Sequence, residues 1–274
     1  MKRMILQGLL GLSILGLMTQ GVCAGSNDRL VIQGSTTVLP IAQNCAEVFM
    51  QKHPKADISV RGGGSGTGIA GLIDGICDIA DSSRPIKSKE LTNAVNRKVD
   101  PVAHIVAMDG IAVIVHISNP VSKLSLTQLK DIYTGKVSNW NQLGGENKEI
   151  VAISRDVASG TYECFSKLAL KKERVRPDAL LQASNAAVVS TVKQTKGAIG
   201  YVGMGYLSSN VKGLAVEDIQ PSIETVQKGT YPISRPLFMY TNGKPKGLAK
   251  DFMDFVLSED GQEIVKKQGF VSLK

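Results

Sequence analysis

Three segments of this sequence set glycine beside serine and threonine where a β-type apolar run ends and a helical pattern begins. They are Gly34-Ser35-Thr36-Thr37, the run Gly62-Gly63-Gly64-Ser65-Gly66-Thr67-Gly68, and Ser159-Gly160-Thr161. The first N–H groups of a helix have no internal acceptor, and the aligned peptide dipoles place partial positive charge at that end. Glycine admits close approach of the backbone, and hydroxyls add donors that carry no charge. Several such helix starts converging on one point make an oxyanion site. Arg84 follows Ser82-Ser83 and Arg155 follows Ser154. A guanidinium is the side chain best shaped for bidentate oxyanion contact. One such loop alone is equally an ordinary helix cap, and one such arginine equally a salt bridge. Three loops with two arginines shift the balance toward a bound anion.

The elements that must position these residues alternate along the chain. Leu30-Val31-Ile32, Ile58-Ser59-Val60, Asp78-Ile79-Ala80, Ile111 to Val115 and Ile150 to Ile153 read as strands. Helical spacing follows the first at Ile41, Cys45, Val48 and Phe49, with Pro40 suited to a first turn. It follows the second at Ile69, Leu72 and Ile73, and the last at Tyr162, Phe165, Leu168 and Ala169. Ser258, the acidic Glu259-Asp260, the basic Lys266-Lys267 and Gly269 delimit a C-terminal helix. Alternation of this kind predicts an α/β protein with mostly parallel strands. In such sheets ligands bind beyond the carboxyl ends of the strands, where the three loops fall.

Composition sets outer limits. The 274 residues, 43 % hydrophobic and 20 % charged, suit one large domain or two ordinary ones and exclude a disordered chain. The excess of 32 Lys and Arg over 24 Asp and Glu favours an anionic partner. Residues 1–24 read as a secretory signal: Lys2-Arg3, an uncharged apolar run from Met4 to Met18, then Val22-Cys23-Ala24. This implies a periplasmic location, with lipid attachment at Cys23 ranked second. Cys45, Cys77 and Cys164 are an odd number and form no disulfide framework; a Cys45–Cys77 bridge is conceivable, but buried small hydrophobes are the simpler reading. His53, His104 and His116 are scattered, so neither metal nor cofactor is expected. Aromatic platforms for nucleic acid are missing. Gly66 to Gly71 fits G-x-G-x-x-G, a weak signal for a dinucleotide.

The segments GSTTVLPIA (34–42), GGGSGTGIAGL (62–72), DIADSSRPIKSKE (78–90), LTQLKDIYTGKVSNWNQLGG (126–145), ISRDVASGTYECF (153–165), GAIGYVGMGYL (197–207), YPISRPLFMYT (231–241) and FMDFVLSEDGQEIVKKQGFV (252–271) together carry a resemblance over residues 29–272. In them the chain resembles the phosphate-binding proteins of bacterial phosphate ABC transporters. The resemblance implies a type II periplasmic-binding-protein clamshell with helices on both faces of its sheets. Lobe 1 would be 28–112 plus 234–274 and lobe 2 would be 113–233, with crossings near Ile111–Val115 and Tyr231–Pro236. It implies a monomer that holds inorganic phosphate without catalysis and delivers it to a membrane permease. The phosphate residues would be Ser35, Thr36, Thr37, Ser65, Ser83, Arg155, Ser159, Gly160 and Thr161, with Arg84 assisting. Some family members place an aspartate where this chain has Ser83, so sulfate, molybdate or tungstate remain alternative ligands. An exported phosphoryl-transfer enzyme is the rival of another class.

Overall fold

The computed structural model describes residues 29–274; the signal segment and Cys23 lie outside the described residues. In chain order the elements are β1 (Arg29–Gly34), α1 (Leu39–Lys52), β2 (Asp57–Gly62), α2 (Ser65–Ile73), β3 (Ile79–Ser82), α3 (Ser88–Asn96), β4 (Pro101–His116), β5 (Lys123–Leu124), α4 (Leu126–Thr134), β6 (Val151–Arg155), α5 (Gly160–Leu168), β7 (Leu180–Gln182), α6 (Asn185–Gln194), β8 (Ala198–Gly203), β9 (Val211–Val216), α7 (Ile223–Gln227), β10 (Ser234–Asn242), α8 (Gly247–Leu257) and α9 (Glu259–Lys267).

The strands join in the order β2-β1-β3-β10-β4-β8-β6-β7, with β9 on the free side of β4 and β5 beside β9. β4 is the seam. Its residues up to Gly110 pair antiparallel with β10. From Ile111 onward it pairs instead with β8 and β9. At that change Gly110 has no room for a side chain, because a Cβ would lie 2.8 Å from Val226 and 3.1 Å from Tyr231. Five strand pairings are parallel and four antiparallel. The sheet is therefore more evenly mixed than the alternation predicts, because β4 and β10 run against their neighbours.

Apolar periodicity explains the packing. Ile41, Cys45 and Phe49 of α1 are buried in one core with Leu30 and Ile32 of β1. Phe165 of α5 stacks on Tyr201 of β8, with ring centroids 3.9 Å apart. Ser258 caps α9 by accepting the Gly261 N–H, and Gly269 beyond the helix takes the left-handed φ of +77° that glycine tolerates. Cys45, Cys77 and Cys164 are all free thiols.

α2 departs from expectation. The glycine-rich run reads as a loop, yet the helix begins at Ser65 and includes Gly66, Gly68 and Gly71. Glycine is a poor helix former, so packing must require it. A Cβ on Gly68 would sit 2.4 Å from the Gln33 carbonyl oxygen, and one on Gly71 3.2 Å from the Cys77 sulfur. Gly68 and Gly71 let α2 lie directly on the sheet, which accounts for the last two glycines of the G-x-G-x-x-G pattern by packing.

Candidate anion-binding site

The carboxyl ends of β1, β3 and β6 and the starts of α2, α5 and α6 meet where the two halves of the sheet face each other. On the first half, Gly34 ends β1 against the Asp81 carbonyl, where a Cβ would come within 2.2 Å of the oxygen. The Ser35 N–H donates to that same carbonyl at 2.8 Å. The Ser35 hydroxyl oxygen accepts the Thr37 N–H at 3.1 Å, and so serves the turn. That turn presents the buried side chains of Thr36 and Thr37 to the other half. Ser65, at the start of α2, accepts the Ser83 N–H at 3.0 Å, and the two hydroxyls lie 3.3 Å apart.

On the second half, the Ser159 hydroxyl caps α5 by accepting the Tyr162 N–H at 3.2 Å. Gly160 follows, and a Cβ there would lie 2.3 Å from the Ser65 Oγ and 2.7 Å from the Ser83 Oγ. The halves touch at this point, and only glycine fits. Thr161 Oγ1 lies 2.9 Å from Thr37 Oγ1 across the junction. The Gly66 N–H donates to the Ala158 carbonyl at 2.9 Å, and Tyr206 donates to the Thr36 carbonyl at 2.6 Å.

Arg155 ends β6 and is 2 % exposed. Its Nε donates to the Gln182 carbonyl at 2.9 Å, and its Nη2 to the Ala183 carbonyl at 3.0 Å and to Thr36 Oγ1 at 3.2 Å. Its Nη1 is buried and has no hydrogen-bond partner. Among the described residues no carboxylate forms an ion pair with it. Burial lowers its proton affinity, yet a guanidinium stays charged at any ordinary pH. A buried, unpaired cation with an unused donor is the signature of a site for an anion.

Arg84 does otherwise. Its Nη1 and Nη2 donate to Glu90 at 2.8 and 2.7 Å, and its Nε lies 2.9 Å from Glu163. Its charge is spent on two carboxylates, one from each half, rather than offered to the threonines. Arg235 takes the place expected of it. This residue, on β10, donates from Nη2 to Thr161 Oγ1 at 3.0 Å and to Thr37 Oγ1 at 3.3 Å. Its Nε and Nη2 also hold Asp109 of β4 at 2.9 and 2.8 Å, and Asp109 accepts the Met204 N–H at 3.0 Å. Burial pushes the Asp109 carboxyl up, against the opposing pull of Arg235. Asn185 is the other residue the sequence reading missed. It opens α6 with its Nδ2 donating to Thr36 at 3.1 Å and Thr37 at 3.0 Å, while its Oδ1 accepts the Gly203 N–H at 3.1 Å. Ser184, which caps that helix, was a signal of the same type as Ser35 and Ser159.

A sheet whose seam joins two halves, with helix starts facing each other across the junction, defines a class. The chain matches the PBP superfamily domain over residues 22–260 and belongs to that superfamily. Within it, the chain belongs to the PstS family of phosphate-binding proteins. It is 38 % identical over 249 residues to the phosphate-binding protein PstS of Bacillus subtilis, covering 90 % of this chain and 81 % of that one. It is 33 % identical over 284 residues to the protein of the same name from Staphylococcus epidermidis, covering 96 % and 87 %. A Clostridium perfringens protein solved with bound phosphate superposes with a TM-score of 0.85 at 34 % identity, over 90 % of this chain and all of that one. An ABC-type phosphate transport receptor from Vibrio cholerae gives 0.72 at 31 % identity, over 88 % and 99 %.

Proposed function

We propose that this chain is an extracytoplasmic phosphate-binding protein that captures inorganic phosphate and hands it to the membrane permease of an ABC transporter, without chemical change to the ligand. The observation that carries the reading is Arg155, a buried guanidinium with one nitrogen free and, among the described residues, no carboxylate in ion-pair contact with it. Hydroxyls of Thr36, Thr37, Thr161, Ser65 and Ser83 gather with it. Their side-chain partners are guanidinium, amide and other hydroxyl groups, and among the described residues no histidine or carboxylate hydrogen-bonds to one of them so as to activate it as a nucleophile. This favours holding over reacting. Among the described residues no helix is long and apolar enough to cross a membrane.

In this reading residues 28–112 with 234–274, and residues 113–233, are lobes that close on the ligand about the seam in β4 and the start of β10. Contacts such as Thr37–Thr161 and Arg155–Thr36 belong to the closed form, which phosphate favours by binding it more tightly. Calorimetry with Arg155→Ala and Arg155→Lys tests the assignment. Both should bind phosphate far more weakly than wild type, the lysine variant less severely. Unchanged binding by Arg155→Ala would remove the basis of the reading.

A second reading, a site for sulfate or molybdate, is favoured by one observation: the Ser83 position offers a hydroxyl rather than a carboxylate to the ligand. Competition among the three anions decides between them.

A further inference from the structure

We propose that Asn185 and Arg235 act as positioning residues that fix the polarity of the threonine hydroxyls, so that the site offers hydrogens and refuses protonated oxygens. The inference rests on phosphate being the ligand. It follows from counting protons and lone pairs. A hydroxyl has one hydrogen to donate and two lone pairs to accept with, whereas guanidinium and amide nitrogens only donate. The Asn185 amide has a settled orientation, because its Oδ1 must be the atom that accepts the Gly203 N–H at 3.1 Å. Its Nδ2 hydrogens then go one each to Thr36 and Thr37.

Thr36 Oγ1 thus accepts from Asn185 and from Arg155 Nη2, at 3.1 and 3.2 Å. Both its lone pairs are used, and its own hydrogen has no acceptor among the described residues. Arg235 Nη2 gives one of its two hydrogens to Asp109 and shares the other between Thr161 Oγ1 at 3.0 Å and Thr37 Oγ1 at 3.3 Å; Thr37 Oγ1 also accepts from Asn185 at 3.0 Å, so its own hydrogen turns to Thr161 Oγ1 at 2.9 Å. Thr161 now accepts from Thr37 and from Arg235 Nη2 at 3.0 Å, and its hydrogen too is left over. Two buried hydroxyl hydrogens and the free Nη1 of Arg155 therefore share one need, an acceptor that brings no hydrogen of its own. Asp109 keeps Arg235 in place through Oδ2, and its Oδ1 accepts the Met204 N–H. Ser65, Ser83 and Ser159 keep lone pairs open, since Ser65 and Ser159 each accept a single N–H. A phosphate with one protonated oxygen can turn that oxygen to the serines. A phosphate with two leaves only two bare oxygens for the three donors that need them.

The expected signature is a pH profile. The charged and titratable groups around the threonines are Arg155 and Asp156 at the end of β6, Arg235 on β10, Asp109 on β4, Tyr201 on β8 and Tyr206 beyond it. Burial pushes both tyrosines up, Tyr206 to about 12, out of the range tested. Ionisation of Asp109 with rising pH would add negative charge and weaken anion binding, the opposite of the expected trend.

The test is calorimetric titration of the full chain with inorganic phosphate between about pH 5.5 and pH 8, which spans the ligand's second ionisation. Wild type should bind total phosphate at least about tenfold more tightly at the upper end. Asn185→Leu frees a lone pair on each of Thr36 and Thr37, lets both hydroxyls turn, and should flatten the gain to about threefold or less. Asn185→Asp presents only acceptors and should lose at least about 100-fold at pH 8. A flat wild-type profile, or an Asn185→Leu profile as steep as wild type, would overturn the proposal while leaving phosphate binding intact. The wild-type profile decides on its own if neither variant folds. Absence of phosphate binding at every pH would instead overturn the functional reading beneath it.

Discussion

Arg155 and Arg84 show how little residue type says about role. Both are buried arginines beside a serine-bearing strand end, and apart from the family resemblance their local sequence does not distinguish them. What separates them is the partner: Glu90 and Glu163 for Arg84, backbone carbonyls and Thr36 for Arg155. Loss of Arg155 leaves the anion buried without its counter-charge, so Arg155→Ala should cost about 3–5 kcal/mol of phosphate binding, measured by calorimetry. Asp81 makes a second prediction at this scale. Its carboxyl is wholly buried, neither oxygen has a partner, and burial raises its pKa well above the ordinary 3.8. The nearby thiols of Cys45 and Cys77 are pushed up to about 12, mainly by burial and then by Asp81. Because the folded state prefers the protonated acid, the contribution of Asp81 is fully present below 3.8 and is lost as pH rises toward the folded value. Asp81→Asn, which cannot ionise, should therefore melt higher than wild type at neutral pH, with the advantage shrinking toward pH 4. Parallel melting curves across that range would contradict this.

At the scale of elements, the three helix starts were legible because Gly, Ser and Thr at a strand end have few other uses in such number. The Ser35 hydroxyl serves the turn before α1 and that of Ser159 caps α5, while the hydroxyls of Thr36, Thr37 and Thr161 face the junction, a division set by backbone geometry rather than by residue type. Asn185 and Arg235 stayed hidden for a different reason. Their partners are 148 and 198 positions away in the chain, and no local spacing reports such contacts. The early start of α2 was hidden likewise, since helix-breaking glycines there are tolerated only through packing on β1. Gly160 joins element to element most tightly. Gly160→Ala places a Cβ 2.3 Å from the Ser65 Oγ, so the halves cannot meet as they do now. It should weaken phosphate binding at least about tenfold while shifting the ligand-free melting temperature little, because in the proposed two-lobe arrangement the clash arises only on closure. An equal loss in both would show that Gly160 serves the fold alone.

For the molecule as a whole, the charge excess that first pointed to an anion is the least informative clue. The proposed site rests on one guanidinium without an ion-pair partner, one paired with Asp109, and neutral donors. Outside it, the halves are linked by Glu163 of α5, which meets Arg84 at 2.9 Å and Lys87 at 2.6 Å on the opposite side. Glu163 is 37 % exposed, so this link is screened, and Glu163→Gln should weaken phosphate binding by less than about 1 kcal/mol. A larger loss in titration would make the bridge a principal latch. Ligand should also stabilise the whole chain: phosphate at about 100 times its Kd adds about 2.7 kcal/mol to the folded state, visible as a raised melting temperature. The central claim is that this closed junction is built for phosphate, and competition calorimetry with phosphate, sulfate and molybdate at neutral pH addresses it most directly. The account predicts one phosphate per chain at micromolar concentration or below, displaced by neither rival at comparable concentration. No heat with phosphate, or tighter binding of sulfate or molybdate, would contradict it.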